Sequence, residues 1–343
     1  MTNPSVLRVA LALAAGVLTP RVGASQTADG YYQQAEALYQ AQKYQDALPL
    51  YFKAVELRPT MADAIYRIGW IYNDLGQYDR AIAPLKRVTL LVPTHTAAFF
   101  ELGYAHRRLE HFSEAVAAFK EAIRLKQDYA AAHYQMGWIS NELKNYSDAV
   151  NSLQLALTYR AEYPDAQSEL GHSYKGLGRY VEAIASYQEA IRLKPDVAKS
   201  YTGLGDVYFY NTKQYAPAAA AYQRGLELKP DNATAFYNLG WCYNDLNRYS
   251  DAVEALKNAV RLQPQYPEAH NELGYTLHQL QRYPEAVLEY QTAIRQKSKY
   301  ASAYYNLGMT YVALGDRAAA MEQYRILQQV DTTRAGRLLK QIK

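Results

Sequence analysis

Between Ala233 and Tyr266 the apolar residues fall at two separate helical spacings. Phe236, Leu239, Gly240 and Tyr243 form one stripe, and Ala252, Val253, Leu256, Ala259 and Val260 form a second. Two helices follow, joined by Leu246-Asn247-Arg248-Tyr249. Asn247 suits the left-handed backbone that ends a helix, and Ser250 or Asp251 is available to cap the next. Gly240 and Ala252 are small where two helices press together, and Pro264 stops the second helix.

The same pattern runs along most of the chain. Alanines heading the second helix stand at 47, 81, 115, 149, 183, 218, 252, 286 and 320, so every step is 34 residues except one of 35. The extra residue lies in 210–214 and is expected to lengthen the turn between two helices without shifting their packing faces. A glycine column (Gly69, Gly103, Gly137, Gly171, Gly205, Gly240, Gly274, Gly308) and a bulky residue four after each alanine complete the frame. Nine units result. Prolines close several of them, but Gln127 and Ala161 stand in that place after the third and fourth. Pro49 and Pro84 fall inside second helices, where a kink is expected.

The period of 34, the Leu-Gly followed by Tyr, the helix-heading Ala, the bulky residue four later and the closing Pro resemble the tetratricopeptide repeat (TPR). The resemblance covers about 28–334. It implies an all-α fold, a right-handed superhelical solenoid of antiparallel helix pairs whose concave wall is lined by the first helix of each unit. One elongated domain is expected, because repeats contact mainly their neighbours. Residues 335–343, with Leu338, Leu339 and Ile342 on one side, read as a capping helix.

The first 24 residues differ from the rest. Arg8 precedes the apolar run Val9–Leu18, and Val22-Gly23-Ala24 ends in small residues, which reads as a secretory signal cleaved after Ala24 or Ser25. The run is too short to span a membrane, so no integral span is expected in the mature chain. A periplasmic or secreted protein follows, with an unprocessed cytoplasmic chain as the alternative. The net charge of +4 carries no nucleic-acid signature. With one cysteine, Cys242, the chain offers no disulfide and no thiolate metal site of its own, and Cys242 reads as a small buried hydrophobe.

No catalytic constellation is visible. The seven histidines are scattered; His106 and His111, five apart, would point in different directions on a helix, and His111 is expected in the turn. No phosphate-binding glycine loop, nucleophile elbow or zinc motif occurs, so neither enzyme activity nor a cofactor is expected.

The 34 tyrosines need a reason. Opposite the packed Gly and Leu columns, a stripe of the first helix carries Tyr66, Trp70, Phe100, Tyr104, Tyr134, Trp138, Tyr237, Trp241 and Tyr275. By the family resemblance this stripe faces the groove. The three tryptophans share one context, Gly-Trp-x-x-Asn, which adds Asn73, Asn141 and Asn244 as groove polar groups. Such a wall suits peptides whose apolar side chains enter aromatic pockets, or polysaccharide whose C–H faces stack on rings while hydroxyls bond amides. The rings could equally pack sideways between adjacent first helices, with no ligand. The basic clamp by which some family members hold a C-terminal carboxylate is missing from the first three units. The expected function is a non-catalytic scaffold binding peptide segments of partner proteins in an exported complex, with a polysaccharide-associated scaffold as the alternative.

Overall fold

The computed structural model describes residues 27–343, so the expected signal segment lies outside them. Among the described residues there is no strand. They form two compact units, the first ending at Lys126 and the second running Gln127–Lys343, where one domain was expected. The division falls at Gln127, one of the positions where the closing proline is missing.

The first unit contains three helix pairs: α1 (Ala28–Gln40) with α2 (Tyr44–Leu57), α3 (Ala62–Asp74) with α4 (Tyr78–Leu91), and α5 (Thr96–Arg108) with α6 (Phe112–Leu125). The second begins with α7 (Ala130–Glu142) and α8 (Tyr146–Tyr159), then α9 (Pro164–Gly176) and α10 (Tyr180–Leu193). It continues with α11 (Ala198–Asp206), extended by a π turn over Val207–Thr212, and α12 (Tyr215–Leu228). Next come α13 (Ala233–Asp245), α14 (Tyr249–Leu262), α15 (Pro267–Gln279) and α16 (Tyr283–Gln296). The last helices are α17 (Ala301–Ala313), α18 (Arg317–Val330) and α19 (Thr332–Ile342). In each unit a first helix packs on its own second helix, and that second helix on the next first helix. First helices also adjoin one another, as α3 does α5 and α13 does α15.

The glycine column is small because the partner helix leaves no space. A Cβ on Gly240 would lie 2.5 Å from Leu256, which is fully buried, and one on Gly69 equally close to Leu85. The last repeat departs from this rule. Above Gly308 the filling side chain is Leu338 of α19, not Tyr324, and Ala335, Leu338 and Ile342 are all buried. The terminal helix begins at Thr332, three residues before the expected 335, and turns Ala335, Leu338 and Ile342 inward, with Leu339 half-buried beside them.

One residue per repeat has left-handed backbone at the turn: Gln42, Gly76, Glu110, Lys144, Gly178, Lys213, Asn247, Gln281 and Gly315. The next amide then bonds a carbonyl five residues back, Gln77 to Tyr72 at 2.8 Å and Arg248 to Tyr243 at 2.7 Å, which satisfies a free helix-end carbonyl. Asn247 plays its expected part, but Ser250 and Asp251 do not cap. Helix α14 starts at Tyr249, two residues earlier than a Ser250 cap and three earlier than an Asp251 cap would require, with Arg248 at the N-cap position and no side-chain cap. Asp251 instead accepts from Arg248 Nε at 2.7 Å, within the first turn, where the helix dipole favours a carboxylate.

The sixth repeat holds its extra residue inside the helix, not in a longer turn. The Gln214 amide reaches six residues back to Tyr208 at 2.9 Å, and the intervening chain widens into the π turn. Pro49 and Pro84 sit within α2 and α4, which run on through them. Cys242 is fully buried, and burial pushes its thiol up to about 12. No helix of the described residues is long and apolar enough to cross a membrane.

Candidate functional site

The expected groove residues lie on α3, α5, α7, α13 and α15, all of them first helices. Their rings are half-buried. Trp70 meets Tyr39 and Tyr44 edge-on at centroid distances of 5.2 and 5.4 Å, and Trp241 meets Phe209 and Tyr215 at 5.2 and 4.8 Å. One side of Trp70 and of Trp241 therefore packs sideways onto the preceding repeat. Tyr66 stacks near His95, Tyr134 near Tyr163 and Tyr237 near Tyr266, each at about 5 Å, while Phe100 leans on the buried Phe119. These four rings brace helix junctions.

Trp70 and Trp241 each also line a cavity. Trp241, Asn244, Asp245, Glu272, Tyr275 and Asn306 line one of about 240 Å³. Trp70, Asn73, Asp74, Tyr78, Glu101, Tyr104 and Arg108 line its counterpart in the first unit, about 360 Å³. The structure thus brings Trp241, Asn244 and Tyr275 together, and likewise Trp70, Asn73 and Tyr104. Trp138 and Asn141 carry the same sequence context, but His172 stands where the other two copies have tyrosine.

The asparagines require a correction. Asn73, Asn141 and Asn244 are buried, and each gives its side-chain N–H to a glutamate in the next repeat. Asn73 reaches the Glu101 carboxylate at 2.8 Å, Asn141 reaches Glu169 at 3.0 Å and Asn244 reaches Glu272 at 2.8 Å. Asn73 and Asn141 also donate to the main-chain oxygen of the same glutamate, both at 3.0 Å. A buried amide N–H must find an acceptor, and these three nitrogens find theirs in the protein, tying consecutive first helices together. The glutamates escaped the sequence reading. Their signal was present: each Gly-Trp-x-x-Asn is followed by Glu 28 residues after its Asn.

The three glutamates sit in different electrostatic settings. Burial pushes the Glu272 carboxyl up, opposed by the Asn244 bond. Glu101 is likewise raised by burial, with Asn73 opposing and the Asp74 charge adding to the rise. Glu169 is ion-paired with Lys199 at 2.6 Å. In the first-unit cavity Arg108 lies 4.5 Å over the Tyr78 ring and donates to the Tyr104 hydroxyl at 3.1 Å.

Elsewhere the chemistry is sparse. No group of three or more His, Cys, Asp or Glu among the described residues could hold a metal ion. His111 lies in the turn, at the N-cap position of α6, as expected; left-handed Glu110 reverses the chain there, so its ring lies 5.8 Å from that of His106 instead of diverging from it.

Antiparallel helix pairs, each packed on the next within both units, define a fold of helix-turn-helix repeats. Models described as tetratricopeptide repeat match residues 100–167, 208–267 and 237–301, with others matching 38–102, 176–211 and 301–327. The chain belongs to the tetratricopeptide repeat family. No curated protein sequence matches it significantly. Among solved structures, YrrB, described as a TPR protein with an unusual peptide-binding site, is 25% identical, with 56% of this chain and 100% of YrrB covered at a TM-score of 0.53. The C-terminal part of a TPR repeat-containing protein from Cytophaga hutchinsonii is 21% identical over 71% of this chain and 99% of its own, at 0.56. The pilF protein of Pseudomonas aeruginosa is 20% identical over 61% and 94%, at 0.55. The last two share the fold.

Proposed function

We propose that the chain is a non-catalytic scaffold that receives peptide segments of partner proteins along its first helices, within an exported complex. The observation that carries this reading is the recurrence of one cavity, Trp-Asn-Asp from one repeat and Glu and Tyr from the next, in both units. Similarity to YrrB supports a peptide ligand. Tyr66, Phe100, Tyr134 and Tyr237 act as bracing, whereas Trp70, Tyr104, Trp138, Trp241 and Tyr275 offer ring surface to a ligand. Asn73, Asn141 and Asn244 hold the glutamates in place.

Polysaccharide is the second reading. It draws on the same cavity, since an indole beside Asp245, Glu272 and Asn306 also offers a sugar a stacking face with hydrogen-bonding groups around it. The full chain, immobilised and exposed to envelope-protein extract and to a glycan panel, separates the two. Trp70→Ala, Trp138→Ala and Trp241→Ala are each expected to weaken capture, and undiminished capture by all three removes the groove reading. Export is tested separately by sequencing the N-terminus of the natural protein. Ser25 or Gln26 at the start supports it, and a retained Met1 overturns it.

A further inference from the structure

The three Trp-Asn-Glu sites differ in one respect that bears on what a partner must bring. In the first, the chain's own Arg108 lies against the aromatic wall of the cavity, its guanidinium over Tyr78 and bonded to Tyr104. In the middle one, the chain's own Lys199 is paired with the buried Glu169. The third has neither. Arg108 stands five residues after Gly103, and five after Gly274 is Gln279; Lys199 stands six before Gly205, and six before Gly308 is Ser302. Both cationic positions are neutral there.

The third site keeps everything else. Trp241 and Tyr275 form aromatic walls, Asp245 is exposed at the rim, and Glu272 is held by Asn244 with no cationic side chain of the described residues ion-paired to it. Asn306, bonded to Asn271 at 3.2 Å, adds a polar edge. A half-buried carboxylate without a counter-charge is costly, and an incoming cation would recover that cost while its apolar stem covers the rings. The chain itself supplies a cation in two copies of this arrangement and omits it in the third.

We propose that the cavity between α13 and α15 binds one arginine or lysine side chain of a partner polypeptide, with the cationic head on Glu272 and Asp245 and the stem between Trp241 and Tyr275. This rests on the peptide-binding reading above and gives it a chemical signature. Recognition of a cation is the reverse of the carboxylate clamp whose residues the first repeats lack.

The test follows the Trp241 indole N–H resonance of the full chain, assigned by its loss in Trp241→Phe, during titration with N-acetyl-argininamide, N-acetyl-lysinamide and N-acetyl-methioninamide. The expected result is a saturable shift with the two cations at a half-saturation at least tenfold below that for the methionine amide. Glu272→Gln, which keeps the Asn244 hydrogen bond, and Asp245→Asn should each remove that preference while the other indole resonances stay in place. Equal response to all three amides, or a preference unchanged in both variants, overturns the proposal. Saturation by spermidine with none by the amides assigns the site to free polyamine and overturns it as well. Partner capture that survives Glu272→Gln and Asp245→Asn but falls with Trp241→Ala sinks the cation site and leaves the peptide scaffold standing.

Discussion

Of the three buried asparagines, one has an unanswered oxygen. Ser173 donates to Asn141 Oδ1 at 2.7 Å and Thr276 to Asn244 Oδ1 at 3.0 Å, but the matching residue below Asn73 is Ala105, and Asn73 Oδ1 is buried with no hydrogen-bond partner. Leaving such an acceptor unpaired costs about 1–3 kcal/mol. Ala105→Ser would place a hydroxyl where its two sister repeats already fit one. Against the gain stand the lower helix propensity of serine, roughly 0.5 kcal/mol, and the rotamer it must fix. A net stabilisation of about 0.5–1.5 kcal/mol is expected. In the reverse direction Thr276→Ala strands Asn244 Oδ1 and removes a buried methyl, for a loss of about 1.5–3 kcal/mol. Repeat proteins need not unfold as one unit, so the measurement is amide hydrogen exchange of α3 and α5 for the first variant and of α13 and α15 for the second. An Ala105→Ser chain no more protected than the parent, beside a Thr276→Ala chain that loses less than ~0.5 kcal/mol, would refute the idea that these hydroxyls satisfy the amides.

Three further outcomes are expected. Lys144→Gly and Glu110→Gly should each raise stability by about 0.5–1 kcal/mol in urea denaturation, because both residues hold left-handed backbone that costs an L side chain ~1–2 kcal/mol and glycine little, less the entropy glycine adds to the unfolded chain. Leu338→Ala should cost about 2–5 kcal/mol and expose α17 to exchange first, since that leucine is the fully buried filler over Gly308. His270 pairs with Glu289 at 2.6 Å; burial lowers its basicity, but the bonds to Glu289 and Pro264 outweigh that and raise it above the usual 6.5. A raised folded-state value means the pair stabilises fully below pH 6.5 and loses that contribution as pH rises through the folded value. The stability gap between the parent and His270→Gln should therefore be larger at pH 5.5 than at pH 8.5, and an equal gap at both would exclude the charged pair.

The helix pairs were legible because nine copies vote on each column, so Gly240 and Leu256 announce a contact that any single copy would leave ambiguous. Trp241 and Tyr275 could be placed on the lining stripe for the same reason. What columns taken one at a time cannot show is a bond between different columns of neighbouring repeats. Asn244 reads alone as a spare polar group, and Glu272 shares its column with Glu101 and Glu169 but also with Arg67, Gln135, Gly203, Asn238 and Asn306, so only the pairing of Glu with a Trp-x-x-Asn one repeat earlier marks it. Asp251 reads as a cap from its residue type, but helix α14 begins three residues earlier than such a cap implies and encloses it in the first turn.

The π turn over Val207–Thr212 has a consequence for how such a chain can change. One residue added to a regular α-helix rotates everything beyond it by about 100°, enough to turn a buried stripe toward solvent. Here the added residue is spent within a single widened turn, so Tyr215 opens α12 and Tyr222 and Leu226 are as buried as the spacing of 34 elsewhere would make them. The helix works as a phase corrector at that point. Length can vary at this seam while every downstream repeat keeps its angular setting, and single-residue insertions between Tyr208 and Gln214 are where the chain should tolerate drift that the middle of α13 or α15 would not.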